Sequence, residues 1–307
     1  MTIHFAPLQG YTEDSYRRFH NEIFGGVYRY YTPFLRLEHG KMRTKDIRDI
    51  RPEYNAGVDV VPQVIANGGE ELEVLLGHVL PLGYRHVDVN MGCPFALQTR
   101  HGRGAGILPH ADKVEEISAC IASYPEISFS VKMRLGLDGP DEWRTILPIL
   151  NDTPLTHVTL HPRIAVQQYR GEVDMDAFSC FLDSSSHPVI YNGDIRSIGD
   201  IRNLEGRYGG RLGGVMIGRG LLSRPSLGRE YENGEVEDEK SLIHDILRLH
   251  DMMRAHYEKV VPGEAQRLMK LRTFWDYLEP TIGRKAWKKI VKAGNMKNYL
   301  SSVALLS

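Results

Sequence analysis

Cysteine is scarce here, and its scarcity excludes two classes of protein. Cys93, Cys120 and Cys180 are odd in number, widely spaced and without a CxxC pair, which argues against a disulfide framework and against a zinc site. They are expected as free thiols, with no metal. Long apolar runs are also missing, for none approaches the roughly 18 residues of a membrane span. The first residues lead into a strand pattern without the basic and apolar regions of a secretion signal. A cytoplasmic protein with no membrane partner is expected. No GxGxxG follows an early strand, so a dinucleotide-binding fold is not supported.

Net charge is nearly absent, at −1 over 307 residues. The total hides a segregation. From Lys240 onward there are 13 Lys plus Arg against 6 Asp plus Glu, a net of +7, while the preceding 239 residues hold 25 against 33, a net of −8. A basic end on an otherwise acidic chain is the usual footprint of a polyanion partner, most often nucleic acid, the alternative being a solvated helical surface.

What is present reads as alternating strands and helices. An apolar share of 42% is ample for a sizeable core. Short apolar runs at 3–6, 27–31, 60–66, 87–90, 129–133, 157–161, 189–191 and 214–217 predict strands. Amphipathic segments at 13–23, 70–82, 111–122, 143–150, 175–182 and 198–208 predict helices between them. Eight such repeats in about 230 residues have the size of a closed (β/α)8 TIM barrel. Residues 228–239, acidic and holding Asn233-Gly234, read as a linker. Beyond them Leu242, Ile246, Leu249, Met253 and Tyr257 fall at helical spacing, as do Leu268, Leu271, Trp275 and Leu278. The expected organisation is an α/β barrel over 1–230, followed by an all-α helical bundle over 231–307. In the bundle's third helix Arg284, Lys285, Lys288, Lys289 and Lys292 share one face, with Trp287, Ile290 and Val291 on the other.

Polar residues collect at the strand ends, where parallel α/β folds carry out their chemistry. Gly92 and Pro94 break the fourth strand, placing Cys93 just past its carboxyl end. A thiol there can serve as a nucleophile or, with an ordinary pKa well above neutral, as a general acid; the plainer reading is a small buried hydrophobe. Glycine-rich loops after the seventh and eighth strands, at 192–194 and 218–220, sit where such barrels commonly hold a phosphate. A phosphorylated cofactor is implied. Gln63 and Lys132, reaching inward from strands, suit the polar edge of a flavin, since a cation near N1 stabilises the reduced anion.

APLQG, PQV, DVNMGCP with the following HGRGAGIL, VKMR, HPR with QQYRG, YNGDI and MIGRG together resemble the successive motifs of the tRNA dihydrouridine synthases. The resemblance covers residues 6–220 in order, and a basic helical tail is also typical of that family. TPFLRLEHG and the tail resemble the branch acting on position 16 of the D-loop. The resemblance implies a flavoenzyme that uses FMN and NADPH to reduce a tRNA uridine to 5,6-dihydrouridine. By it, Pro7, Leu8, Gln63, Lys132, His161, Asn192, Gly193, Asp194, Gly218 and Arg219 bind FMN, and Asn90, Arg134 and Tyr169 contact the uracil. Cys93 then gives C5 its proton while the flavin reduces C6. Lys270, Arg272 and the ridge of Arg284, Lys285, Lys288, Lys289 and Lys292 are expected to meet RNA, and the chain is expected to act as a monomer. Leu8 stands where the family has methionine, and Pro162 where it has glycine. Two other classes remain open: a flavin oxidoreductase acting on free pyrimidines, and a non-catalytic RNA-binding protein.

Overall fold

A computed structural model describes residues 1–306. Nine parallel strands form one sheet that curls into a barrel. We label them β1 (Ile3–Phe5), β2 (Arg29–Tyr31), β3 (Val60–Val61 with Gln63–Val64), β4 (His86–Met91), β5 (Ser128–Gly136), β6 (Leu155–Ile164), β7 (Val189–Tyr191) and β8 (Leu212–Ile217). β3 counts twice in the nine because Pro62 divides it. Val60 and Val61 pair with β2, whereas Gln63 and Val64 pair with β4. The expected continuous strand at 60–66 is corrected to two short pieces, since proline has no N–H for a ladder. β1 pairs with β8 and with β2, so the chain's first strand closes the ring.

The helices between strands fall close to their predicted places. Those at Ala111–Ala122 and Ile198–Tyr208 match residue for residue. Alternate strand residues face opposite ways. Val87, Val89, Val131, Met133 and Leu160 are buried in the layer between sheet and helices. Asp88, Asn90, Ser130, Thr159 and His161 alternate with these residues and point inward. The barrel interior is therefore polar along β4, β5 and β6. Within it the Tyr31 hydroxyl bridges His4 Nδ1, at 3.1 Å, and His157 Nε2, at 3.3 Å. Burial lowers both imidazoles far below their ordinary value, to about 3 and about 4, so both are neutral.

β6 contains Pro162, and it also contains a register shift. Arg134 lies opposite His161 but Gly136 lies opposite Ile164, so β6 carries one extra residue between them. A bulge is where a strand tolerates proline. The departure from glycine is thus absorbed without moving His161 from its partner.

The segment expected as a linker is largely helical. Leu227–Asn233 forms a helix and Glu239 opens the next one. Glu230 explains the difference, for this acidic residue is buried. Its carboxylate accepts from Arg224 Nε at 2.8 Å, from Ser226 Oγ at 2.9 Å and from the Glu237 backbone N–H at 3.1 Å. Gly228 lies against Gly26, where a Cβ would stand 2.4 Å from the Gly26 carbonyl oxygen. The acidity that resembled a solvated linker is partly an internal anchor.

The tail forms a bundle of Glu239–Val260, Glu264–Thr273, Arg284–Val291 and Met296–Val303. Its centre is polar as well as apolar, because the Tyr299 hydroxyl meets His250 Nε2 and Trp275 Nε1, each at 2.8 Å. The bundle is tied to the barrel by Arg229–Asp245 at 2.7 Å, Lys270–Glu13 at 3.0 Å and Tyr11–Asp276 at 3.0 Å. Among the described residues no helix is long and apolar enough to cross a membrane.

Replacing Glu230 by alanine strands the buried Ser226 hydroxyl and removes the partner of Arg224. A stability loss of about 2 to 3 kcal/mol is expected. It is read as a lowered urea midpoint; an unshifted midpoint would show that the segment is not an anchor.

Candidate active site

The site is assembled around the turn that follows β4. Asn90 Oδ1 accepts the backbone N–H of Gly92 at 3.0 Å and of Cys93 at 2.8 Å. These two bonds hold the chain in its turn as it leaves the sheet. The glycine-rich stretch after it acts as a brace. Gly104, at φ +60°, lies so close that a Cβ would stand 2.7 Å from that of Cys93, and the Ala105 N–H donates to the Cys93 carbonyl at 3.0 Å. Arg103, the basic residue of that stretch, is spent on Glu71 at 2.9 Å.

One cavity opens at the carboxyl ends of the strands. Every residue expected to bind cofactor or uracil lines it: Pro7 and Leu8 after β1, Gln63 in β3, Asn90 and Cys93 at β4, Lys132 and Arg134 in β5, and His161 in β6. Tyr169 follows β6, Asn192, Gly193 and Asp194 follow β7, and Gly218 and Arg219 follow β8. Gly218 admits Leu8 closely, since a Cβ there would be 3.2 Å from Leu8 Cδ1. Asp194 has a left-handed backbone, φ 40°, and is held between Arg163 and Arg219, the latter at 2.7 Å. The Tyr169 ring lies between two guanidinium groups, 4.5 Å from Arg219 and 5.5 Å from Arg134.

Burial and cations oppose one another across the cavity. Burial pushes the Cys93 thiol above its ordinary value, although the Phe95 N–H and the charges of Arg134, Lys132 and Arg36 pull the other way. The desolvation of a nearly enclosed thiol is the larger effect. Cys93 is consequently protonated at neutral pH. Burial, aided by Arg134, also lowers Lys132 to about 8, and Asp88 and Cys93 resist that fall. His161 is neutral, because burial first and then Arg134, Lys132, Arg163 and Arg219 depress it. Arg163 donates to His161 Nε2 at 3.1 Å. A guanidinium only donates, so the imidazole proton resides on Nδ1.

Several residues that matter here carried no role in the sequence reading. Arg163 is buried at 1% exposure and joins His161, Asp194 and the Gly171 carbonyl, the last at 2.6 Å. Its place in HPR was the only signal. Asp88 sits in DVN directly below Asn90. Phe34, Phe95 and Arg196 also line the cavity, and Tyr277 reaches it from the tail, beyond the last of the motifs. The expected RNA contacts lie elsewhere. Arg284, Lys285, Lys288, Lys289 and Lys292 are exposed, while Ile290 is buried and Trp287 and Val291 are half-buried. Lys270 is engaged with Glu13 and lies 5.2 Å from the Tyr257 ring centre; Arg272 is half-buried. Among the described residues no group of three or more His, Cys, Asp or Glu is placed to hold a metal.

The fold and site define a (β/α)8-barrel enzyme with a polar, cation-lined site at the carboxyl ends of its strands. The chain belongs to the dihydrouridine synthase (Dus) family, whose model matches residues 4–302. It is 28% identical over 284 residues to the tRNA-dihydrouridine(16) synthase of Pseudomonas putida, covering 88% of this chain and 86% of that protein. It is 25% identical over 279 residues to a probable tRNA-dihydrouridine synthase of Staphylococcus epidermidis, covering 88% and 82%. Among solved structures, histamine dehydrogenase from Rhizobium sp. 4-9 has a TM-score of 0.57 at 13% identity, over 80% of this chain and 48% of that one. Morphinone reductase has a TM-score of 0.54 at 11% identity, over 78% and 88%. These two likenesses are of fold alone.

A thiol held protonated by burial has a testable signature. The rate of Cys93 alkylation, followed by mass spectrometry, is expected to be still rising at about pH 9. A profile that levels off below pH 8 would show that the cations outweigh burial.

Proposed function

We propose that the chain is an FMN-dependent tRNA-dihydrouridine synthase that uses NADPH to reduce a D-loop uridine, at position 16, to 5,6-dihydrouridine. The observation that carries this reading is a protonated, buried thiol at the wall of a cation-lined strand-end cavity, in a chain of the dihydrouridine synthase family. The relatives' names supply the tRNA and the position. In this reading residues 1–230 form the flavin-binding barrel and 231–307 the RNA-binding part. The chain acts as a monomer in this reading.

The donor set fits FMN. Gly193 and Gly218 bring backbone close to the cavity after β7 and β8, and Arg219 and the Asn192–Asp194 turn stand beside them, as a phosphate requires. Lys132 and Gln63 would hold the polar edge of the ring system, with His161 offering Nδ1–H and Pro7 and Leu8 an apolar wall. When bound and reduced by NADPH, FMN would supply a hydride, two electrons and one hydrogen, to C6, leaving C5 to take up a proton.

The chain's own residues do the rest. Cys93 holds a proton at Sγ and delivers it to C5, a role that needs the thiol rather than the thiolate. Arg134 is fixed by bonds to the Gly92 carbonyl at 3.1 Å and the Ile164 carbonyl at 3.0 Å, so it stands ready beside that thiol. Asn90, Arg134 and Tyr169 hold the uracil, which must first leave the RNA stack. The exposed basic ridge of the tail meets phosphates.

The purified protein is expected to be yellow with noncovalent FMN. The Cys93→Ala variant is expected to bind FMN and accept electrons from NADPH normally, while dihydrouridine formation in tRNA falls by about two to four orders of magnitude. A rate within a few-fold of the parent would make Cys93 structural, and turnover of free uracil without RNA would favour a free-pyrimidine enzyme. Reversing Lys288, Lys289 and Lys292 to Glu is expected to weaken tRNA binding and flatten its salt dependence by about 0.7 to 0.9 in slope per lost phosphate contact. An unchanged salt slope would return the ridge to an ordinary solvated face.

A further inference from the structure

We propose that Asp88 is a positioning residue for the Cys93 turn: it terminates a one-way chain of hydrogen bonds that fixes which end of the Asn90 and Gln63 amides faces each neighbour. The chain starts at the backbone N–H groups of Gly92 and Cys93, which can only donate, and both meet Asn90 Oδ1. Asn90 is left with its amide nitrogen for its other partner, and Nδ2 lies 2.7 Å from Gln63 Oε1. Gln63 is then left with its own nitrogen, and Nε2 lies 2.7 Å from Asp88 Oδ2. A succession of donors running in one direction must end on a group that accepts without having to donate, and an ionised carboxylate is such a group. The other carboxylate oxygen of Asp88 accepts from Ser130 Oγ at 2.5 Å. Ser130, Gln63 and Lys132 all pull against the burial that lifts Asp88 to about 6, so the carboxylate is ionised at neutral pH.

The consequence reaches the cavity. Gln63 and Asn90 line it, and each spends one N–H and its only oxygen inside the chain of bonds. Each amide keeps a second N–H, and Asn90 Oδ1, already holding two donors, has no lone pair left. The cavity wall at Asn90 therefore offers a donor and no amide acceptor, which suits an occupant that presents a carbonyl or ring-nitrogen acceptor there. Reversing either amide would turn an acceptor outward and detach the Cys93 turn from its anchor. Asp88 touches neither the thiol nor the cavity contents; it acts through two amides on both.

The direction of the bonds, rather than the charge, is the point of the test. Asp88→Asn keeps an oxygen for Gln63 and can turn its NH2 to the Ser130 hydroxyl, whereas Asp88→Leu leaves Gln63 Nε2 without an acceptor. In the full-length holoprotein, hydrogen exchange at the Gly92 and Cys93 amides is expected to quicken by about tenfold in Asp88→Leu, the scale of one lost hydrogen bond, and to recover to near the parent rate in Asp88→Asn. Gln63→Met cuts the chain at its middle and is expected to quicken exchange similarly, which keeps the idea testable should Asp88→Leu fail to fold. Unchanged exchange in Gln63→Met, or equal acceleration in Asp88→Asn and Asp88→Leu, would overturn it. Only the identity of the occupant rests on the proposed function. On that reading, Asp88→Leu lowers kcat for tRNA reduction by about tenfold with KM for tRNA little changed, and Asp88→Asn restores it. Altered exchange without any tRNA activity in the parent would reject the function and leave the positioning role standing.

Discussion

The acceptance of two backbone N–H groups by one side-chain oxygen, Asn90 Oδ1, is the constraint on which the site depends. It turns the chain out of β4 at the point where a thiol can face the cavity instead of continuing into the sheet. The glycines on either side follow from that geometry. Gly92 passes so near β5 that a Cβ would stand 3.2 Å from the Met133 carbonyl carbon, Gly104 lets the following loop lie directly on the turn, and Gly106 packs that loop against Thr99. Cys93 is thereby buried without being packed away, which leaves it protonated and beside the cavity.

The barrel interior shows how that protonation is maintained among cations. Lys132, Arg134 and Arg219 line a space in which the only lining carboxylate, Asp194, is already shared by two arginines. Such an excess of positive charge would draw a proton from an exposed thiol. Here enclosure costs a thiolate more than the cations return, so the pKa rises. The same enclosure lowers Lys132 to about 8, a value at which its charge still persists near neutrality. Burial therefore moves two groups of opposite type in opposite directions, favouring the uncharged form of each.

The helical tail is part of the site as well as its neighbour. Tyr277 lines the cavity rim and packs edge-on against Tyr11, 5.0 Å between ring centres, and Tyr11 donates to Asp276. Ion pairs run both ways across this docking, from Lys270 of the bundle to Glu13 and from Arg229 on the barrel side to Asp245 of the bundle. The exposed ridge from Arg284 to Lys292 keeps its charge facing outward because Ile290 supplies the buried side of the same helix.

Periodicity alone determined the barrel and most of its helices, because a two-residue alternation interrupted by helical segments has few compact solutions, and strand-end motifs then identify the rim. The fourteen residues expected at the cavity lie there because each is tied to a strand end, a local property that a sequence displays. Where local pattern and tertiary environment disagree, only the structure decided. Pro62 splits a strand that hydrophobicity predicts as one, and the acidic stretch around Glu230 is helical because Arg224 and Ser226, just before it, hold the buried carboxylate. The pKa of Cys93 depends on enclosure, which no motif encodes, and the roles of Asp88 and Arg163 are invisible until Gln63 from β3 and Asp194 after β7 are in place beside them. A sequence displays what each residue can donate or accept; the direction in which a buried chain of bonds runs is settled only when both of its ends are fixed in space.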